Sequence, residues 1–313
     1  MLSRHDEIAV ALQLALLLEA SAHPKPGNVH RTRDFEYTTF EHFLASAAAL
    51  GPHFRLAALS GRRIAGGWTH GAKLGIGERM MRAVETCSKW QHGGNTSLGT
   101  ILLLTPIAYA AGMVAPRSAL KAQEIRRNLG KVVKRTTSAD AVNTYRAISR
   151  ASPGGMRKVP ELDVNDEKSI MKIQERDIPL FQIFRISSEY DTVSREWVTN
   201  FHVTFDIGLP SLIKEIRATG DINAAVVDTY LEILSRIPDT LVARKQGMNT
   251  AKKLSYRAKR VLKAGGMKTA GGRKAVKQID EALQKPGHLL NPGTTADLTA
   301  SALSVLLLEG YRP

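Results

Sequence analysis

Helical patterns dominate the chain, whereas the alternating polar and apolar positions typical of β-strands are scarce. The strongest alternation, FHVTFDI at residues 201–207, lies among helical segments and is a doubtful strand. Apolar runs and their flanking cap residues predict helices at about 4–20, 38–60, 71–89, 96–113, 117–130, 138–150, 194–218, 221–236, 248–263, 272–284 and 294–309. We expect Gly51-Pro52 to interrupt the second of these, because proline has no backbone N–H and clashes with the preceding turn. The pattern predicts an all-α protein.

An irregular segment, SPGGMRKVPELDVNDE at residues 152–167, could mark a linker between two domains. Helical signals resume after it without a change of composition. We therefore interpret it as a long loop inside one large multi-helix domain spanning residues 1–313. The sequence contains neither G-x-G-x-x-G after a strand nor G-x-x-x-x-G-K-[ST], so the two standard nucleotide-binding loops are absent.

Composition indicates a globular protein of a reducing compartment. Among 313 residues there is one cysteine, Cys87, which excludes an intramolecular disulfide framework and a cysteine-based zinc site. The longest apolar runs reach about half the length that spans a bilayer, and the N-terminus lacks a convincing signal peptide. We expect a cytoplasmic protein without a membrane partner.

The charge balance points to an anionic partner. Lys and Arg number 44 against 29 Asp and Glu, a net charge of +15. The excess is concentrated: residues 117–135 carry seven Lys or Arg and one Glu, and residues 244–277 carry many cations and no acid. Such a field attracts polyanions, either nucleic acid or a polyphosphorylated small substrate. An aromatic content of 6% and the lack of a helix-turn-helix or zinc pattern argue against nucleic acid without excluding it.

The first candidate motif, HPKPGNVH, follows the apolar helix that ends in Glu19. Pro24 and Pro26 fix two backbone angles, and Gly27 permits conformations that other residues resist. This rigid turn is either a preorganised anion cradle beside Glu19 or an ordinary helix stop with solvated charges. The basic residues available to such a cradle are Lys25, His30, Arg31 and Arg33.

The second motif, HGGNTSLG at residues 92–99, leads through Gly94 to Asn95 or Thr96 as the cap of an apolar helix. The free N–H groups at a helix start form a natural phosphate site. Every helix needs a cap, so this motif is weak taken alone.

The third motif, IPDTLVARKQG at residues 237–247, places Asp239 and Thr240 one turn before Arg244 and Lys245. Carboxylate and hydroxyl oxygens followed by cations suit a Mg²⁺–polyphosphate site. A simple capping role for Asp239 is equally consistent.

The fourth motif, NPGTTADLTA at residues 291–300, begins the last predicted helix. Gly293 precedes a capping-box spacing in which Thr294 would be the N-cap and Asp297 the third helical residue. Asp297 could equally be a metal ligand.

In this order the four motifs resemble the triphosphoribosyl-dephospho-CoA synthase family, and the resemblance extends from about Glu19 to Leu308. It implies an all-helical fold and an enzyme that takes ATP, displaces adenine from C1 of the ribose, and joins the triphosphoribosyl group to a hydroxyl of dephospho-CoA. In that family the product is the precursor of a carrier-protein prosthetic group.

Two motifs depart from the usual family pattern. Ser97-Leu98 stands where His-Lys is usual, and Leu241 stands where the third motif has Asn. The departures make the chain similar to archaeal and one-carbon-type members, and they leave the acceptor open between dephospho-CoA and a related molecule. A same-fold enzyme with another nucleotide or acceptor and a basic nucleic-acid-binding protein are the alternatives.

The resemblance also implies a site. Mg²⁺ and the basic residues would neutralise the triphosphate, and carboxylates would hold the metal, stabilise an oxocarbenium-like ribose and accept the acceptor's proton. The implied carboxylates, whose roles the sequence does not divide, are Glu19, Asp239 and Asp297. The implied phosphate- and nucleotide-binding residues are Lys25, Pro26, Gly27, His30, Arg31, Gly94, Asn95, Thr96, Thr240, Arg244, Lys245, Gly293 and Thr294.

Overall fold

The structure is a computed structural model and describes residues 2–66, 74–156, 159, 161–284 and 288–313. This part of the chain contains fifteen α-helices: α1 (Arg4–Ser21), α2 (Phe40–Ala65), α3 (Ile76–Trp90), α4 (Leu98–Gly112), α5 (Ala122–Lys134), α6 (Ser138–Ala151), α7 (Glu167–Glu175), α8 (Leu180–Ser187), α9 (Thr192–Val198), α10 (Leu209–Thr219), α11 (Ile222–Arg236), α12 (Thr240–Gln246), α13 (Met248–Lys263), α14 (Ala270–Leu283) and α15 (Gly293–Leu308). The described residues also form a π-helical turn (Val203–Gly208) and a 3₁₀ turn (Gly266–Lys268). No β-strand occurs among the described residues, so the all-α prediction is confirmed.

Two helices form the centre of the fold. Helices α4 and α15 are buried on nearly every face, as expected for segments with apolar residues all round. Helix α15 packs against α1, α4, α10 and α11, while α2, α3 and α5 pack around α4. The N-terminal ends of these two central helices, at residues 98 and 293, lie beside the cavity described below. None of the described helices is long and apolar enough to cross a membrane.

The predicted interruption at Gly51-Pro52 is wrong, because α2 runs through Pro52 without a break. A proline inside a helix leaves the carbonyl four residues earlier without its N–H partner. Here that carbonyl belongs to Ala48, and the Gln13 side-chain amide from α1 donates to it over 3.1 Å. A distant donor therefore compensates for the bond that proline removes.

The same arrangement recurs at Pro106 in α4. The carbonyl it leaves unpaired is that of Leu102, which accepts a 3.1 Å hydrogen bond from the indole N–H of Trp197 in α9. Trp197 is fully buried and packs edge-on against Phe184 of α8. The bond thus ties α9 to the central helix at one wall of the cavity.

The helix predicted over 194–218 is divided in the structure. Asn200 and Phe201 adopt positive φ angles of 54° and 60°, which end α9. The buried Glu196 carboxylate then accepts hydrogen bonds from the backbone N–H groups of Val203 (2.7 Å) and Thr204 (2.9 Å), which begin the π-helical turn. The alternating pattern at 201–207 is therefore helical, not a strand.

The irregular segment is non-helical over its described residues, and α7 begins at Glu167 as it ends. It is anchored to α6 by the Tyr145 hydroxyl, which donates to the Leu162 carbonyl over 2.6 Å. The sequence patterns missed three short helices, α7, α8 and α12.

Candidate active site

A cavity of about 760 Å³ lies where the first turns of α4 and α15 meet the last turn of α1. Two kinds of side chain line it. We call the polar residues Glu19, Asn95, Asp191, Arg244 and Asp297 the polar face, and the apolar residues Ile148 of α6, Leu162, and Ile183 and Ile186 of α8 the apolar face. This volume lies within the range of small-molecule sites, which bury most of their ligand.

Asp297 lies on the polar face within the first five residues of α15. The helix begins after Pro292 with no side-chain cap, so the predicted capping box is wrong. The Asp297 side chain instead extends to the start of α4, where it accepts a backbone hydrogen bond from Thr100. Glycine at position 99 makes this approach possible, because a Cβ there would overlap the carboxylate.

The charge around Asp297 is unusually negative for so basic a chain. Burial, followed by the charges of Glu19, Asp239 and Asp191, raises the pKa of Asp297 well above its ordinary value. Two of those three neighbours, Glu19 and Asp191, also line the cavity. A cation or a developing positive charge placed here would be strongly favoured.

Glu19 lies in the last turn of α1 and is 6% exposed. Its carboxylate forms a buried ion pair with Lys25, whose ammonium also donates to the Glu19 carbonyl over 2.7 Å. Burial raises the pKa of Glu19, and the charge and hydrogen bond of Lys25 oppose that shift. Lys25 itself does not line the cavity.

Asp239 is sealed within the protein. One carboxylate oxygen accepts the backbone N–H groups of Leu241 (2.9 Å) and Val242 (3.0 Å). The other accepts the backbone N–H (2.7 Å) and hydroxyl (2.8 Å) of Thr295. Asp239 therefore caps α12 and holds the first turn of α15 beside it.

Two cations of the third motif reach the cavity. Arg244 Nη1 lies 2.9 Å from Asp191 Oδ1, and Lys245 Nζ donates to the His288 carbonyl over 3.2 Å. Burial lowers the pKa of Lys245. These two side chains place positive charge close to the acidic group around Asp297.

The start of α4 contributes polar groups. Asn95 Oδ1 accepts the Leu98 backbone N–H over 3.0 Å, but the N-cap of α4 is Ser97, so the predicted cap at Asn95 or Thr96 is wrong. The Thr96 hydroxyl lies 2.7 Å from that of Ser46, which fixes its position. Both Asn95 and Thr96 line the cavity.

The structure thus brings together half of the residues implied by the sequence and places the others elsewhere. Those that line the cavity are Glu19, Asn95, Thr96, Arg244, Lys245, Gly293, Thr294 and Asp297. Those that do not are Lys25, Pro26, Gly27, His30, Arg31, Gly94, Asp239 and Thr240.

Part of the first motif serves to fasten the chain. Asp280 of α14 accepts the Gly27 backbone N–H over 3.1 Å and lies 3.3 Å from His30 Nε2. Arg31 is exposed and lies 3.4 Å from Asn223 Oδ1. These contacts attach the Pro-Lys-Pro-Gly turn to α11 and α14, outside the cavity.

Several lining residues were not found by sequence reasoning. Asn28 lies within the first motif, where the prolines and the charged residues are the conspicuous features. Its amide donates to the Tyr230 hydroxyl over 2.9 Å. Asp191 stands next to a turn without any motif. His288 stacks on Phe35 with ring centroids 3.7 Å apart, a contact that no local pattern signals.

Within the described residues, no group of three or more His, Cys, Asp and Glu side chains is arranged to hold a metal ion by itself. The predicted set Glu19, Asp239 and Asp297 is therefore not a protein-only cage, and Asp239 has its oxygens occupied. Mg²⁺ commonly takes one or two carboxylates, waters and substrate phosphates. The surplus of negative charge at Asp297 fits that second kind of site.

The chain is similar to known proteins over nearly its whole length. The chain matches the family model described as CitG, ATP:dephospho-CoA triphosphoribosyl transferase, over residues 5–313. A protein of Pseudomonas syringae pv. tomato, named as a probable 2-(5''-triphosphoribosyl)-3'-dephosphocoenzyme-A synthase, is 26% identical over 309 residues, which cover 96% of this chain and 89% of the relative. The synthase of that name from Klebsiella pneumoniae is 32% identical over 92 residues, 29% of this chain and 30% of the relative.

A solved structure shows the same similarity. The crystal structure of a candidate triphosphoribosyl-dephospho-CoA synthase from Archaeoglobus fulgidus superposes with a TM-score of 0.63 and 28% identity. The match covers 86% of this chain and all of that chain.

Proposed function

Because the chain belongs to the ATP:dephospho-CoA triphosphoribosyl transferase family, we propose that its cavity transfers the triphosphoribosyl group of ATP to a hydroxyl of dephospho-CoA and releases adenine. The bond from ribose C1 to adenine N9 breaks, and a bond from C1 to the acceptor oxygen forms. The proton lost by the hydroxyl balances the proton gained by adenine. The observation that carries the proposal is one cavity holding carboxylates and cations at the starts of two central helices.

The triphosphate is proposed to lie near Arg244, Lys245 and the first turn of α15. Guanidinium and ammonium groups are strong donors to phosphate oxygens. Gly293 and Thr294 lie at the positive end of a long buried helix, which favours an anion. The contacts of Arg244 with Asp191 and of Lys245 with the His288 carbonyl would hold these two side chains near the triphosphate.

The ribose is proposed to face Glu19. When the bond to adenine breaks, positive charge develops on the sugar ring, and a nearby carboxylate lowers the energy of that transition state. The proton of the attacking hydroxyl becomes acidic only as its bond to C1 forms, so a carboxylate is a sufficient acceptor for it. Glu19 is the lining carboxylate whose charge is supported by a buried lysine.

Mg²⁺ is proposed to be held by the triphosphate together with Asp297, and Asp191 is another carboxylate that lines the cavity. When bound, the ion would neutralise triphosphate charge and orient the chain of phosphates. In this arrangement the protein would provide one carboxylate ligand, and phosphate oxygens and water molecules would provide the others.

The apolar face is proposed to receive the uncharged portions of the substrates. This face consists of side chains that cannot donate a hydrogen bond to a phosphate, namely Ile148, Leu162, Ile183 and Ile186. Removing such groups from water is favourable in proportion to the apolar area that is buried. We further propose that the reaction takes place in the cytoplasm, where ATP is available and the single thiol of Cys87 stays reduced.

The direct test incubates the purified protein with ATP, dephospho-CoA and Mg²⁺, and measures free adenine by chromatography and the acceptor by mass spectrometry. We expect adenine and an acceptor heavier by one triphosphoribosyl group in equal amounts, with neither formed in excess EDTA. Glu19→Gln serves as the inactive control. Release of ADP or AMP without adenine, or no product at millimolar substrates, would contradict the proposal.

A further inference from the structure

The structure assigns Lys25 a role different from the one its sequence context suggests. We propose that Lys25 is a positioning residue that acts through Glu19, and that it does not bind the triphosphate. The inference rests on the proposed function in one respect, namely the reaction in which Glu19 takes part. The ion pair itself is a property of the fold.

Lys25 is sealed away from any phosphate. Its side chain is 2% exposed, and it is among the largest fully buried side chains of the described residues. Its ammonium group is engaged by the carbonyl and the carboxylate of Glu19. A phosphate in the cavity would have to break both interactions and enter a closed space to reach it.

The backbone around Lys25 is held on both sides. Its carbonyl accepts the Asn28 N–H over 3.1 Å, and the carbonyl of the next residue, Pro26, accepts the Tyr230 hydroxyl over 2.8 Å. Tyr230 is fully buried in α11 and also accepts from the Asn28 amide. The turn that carries Lys25 is therefore fixed against α11.

The position of the pair explains what Lys25 contributes. Glu19 lies in the last turn of α1, which contains no basic residue. The charge of the Glu19 carboxylate acts on Asp297. A cation at a helix C-terminus interacts favourably with its free carbonyls. Lys25 supplies that cation and at the same time offsets the repulsion that Glu19 feels from the other carboxylates. The ion pair thereby favours the charged form of Glu19 against the effect of burial and holds the carboxylate at the edge of the cavity.

A double-mutant cycle of Lys25→Met and Glu19→Gln, followed by adenine release, tests the inference. If Lys25 acts through Glu19, each single variant should lose roughly 100-fold or more in kcat, while the KM for ATP changes less than about threefold. The double variant should be no more than about threefold slower than Glu19→Gln, because the partner of Lys25 is already gone. Lys134→Met, which removes an exposed lysine from the last turn of α5, is the matched control and should keep full activity.

A phosphate-binding lysine would behave differently. Lys25→Met would then raise the KM for ATP about tenfold or more with kcat largely kept, and its effect would multiply with that of Glu19→Gln. Either result overturns the inference. If Lys25→Met alone does not fold because it leaves a buried charge unpaired, the neutral double variant removes both charges and should fold. Failure of the double variant to fold, with Glu19→Gln folded, would also overturn it.

The proposed function can fail separately. If the wild-type protein releases no adenine, the same four proteins are compared by urea unfolding. Non-additive losses in the free energy of unfolding for the Lys25 and Glu19 variants would then support the ion pair, and only the proposed reaction would be rejected. Additive losses would overturn the pair itself.

Discussion

Replacement of Asp239 by Asn provides a sharp test of how this site is built. The sequence implied a metal-binding carboxylate, but the structure gives Asp239 four protein donors, two on each oxygen. Asn can keep the two bonds that cap α12 through its single oxygen. Its NH₂ group would then face the backbone N–H of Thr295, which donates as well, so that bond is lost.

The size of the effect follows from this count. A buried N–H left without an acceptor costs about 1–3 kcal/mol, and the rotatable Thr295 hydroxyl can turn to accept from the new amide. Burial raises the pKa of Asp239, so the neutral side chain also recovers some desolvation energy. We expect Asp239→Asn to lower the free energy of unfolding by about 2 kcal/mol. We also expect kcat to fall roughly tenfold, because the start of α15 shifts.

The assay is urea unfolding followed by circular dichroism, with adenine release measured on the same samples. Asp221→Asn is the matched control: Asp221 is an exposed N-cap of α11 that accepts the Asn223 N–H over 2.8 Å. Asn caps a helix about as well as Asp, so the control should change stability by less than about 0.5 kcal/mol. If Asp239→Asn is as stable as the control and has lost activity completely, Asp239 is a ligand or charge stabiliser and our interpretation is wrong.

Three further predictions concern the cavity and the charged surface. Asp297→Asn should keep or raise stability, since it removes repulsion from neighbouring carboxylates, yet lower kcat about 1,000-fold and raise the Mg²⁺ requirement; near-normal turnover would refute its role. Gly99→Ala should abolish adenine release because the new Cβ overlaps the Asp297 carboxylate, whereas Gly271→Ala, which meets nothing within 4 Å in α14, should be active. Duplex DNA should bind only weakly in a fluorescence anisotropy titration, with an affinity that falls steeply as salt rises; submicromolar affinity at physiological salt would contradict this.

The sequence was informative wherever the relevant interaction is local. Helical periodicity and cap residues located the central helices, and the starts of α4 and α15 carry motifs that can be recognised within ten residues. The behaviour of Pro52 and Pro106 could not be predicted in this way. Their helices continue because Gln13 and Trp197 donate to the freed carbonyls, and these partners are 35 or more positions from the carbonyls they bind.

The differences between the implied site and the residues that line the cavity have a similar cause. A lysine in a Pro-Lys-Pro-Gly turn is expected in water, since lysine is rarely buried unless it is paired. Whether it is paired depends on the direction of a carboxylate on the preceding helix, which spacing does not fix. Asp239 was ambiguous for the same reason: its local capping bonds could be inferred, whereas its bonds to Thr295, 56 residues later, could not.

The distribution of charge follows from a conflict in the proposed reaction. A triphosphate needs positive surroundings, while the ribose attached to it becomes positive during transfer and needs the opposite. In this fold Arg244 and Lys245 come from one short helix, α12, whereas Glu19 comes from the last turn of α1 and Asp297 from the start of α15, so different elements supply the two signs of charge. Lys25 supports the Glu19 carboxylate without lining the cavity, so it adds no cation to the space that the substrate would occupy.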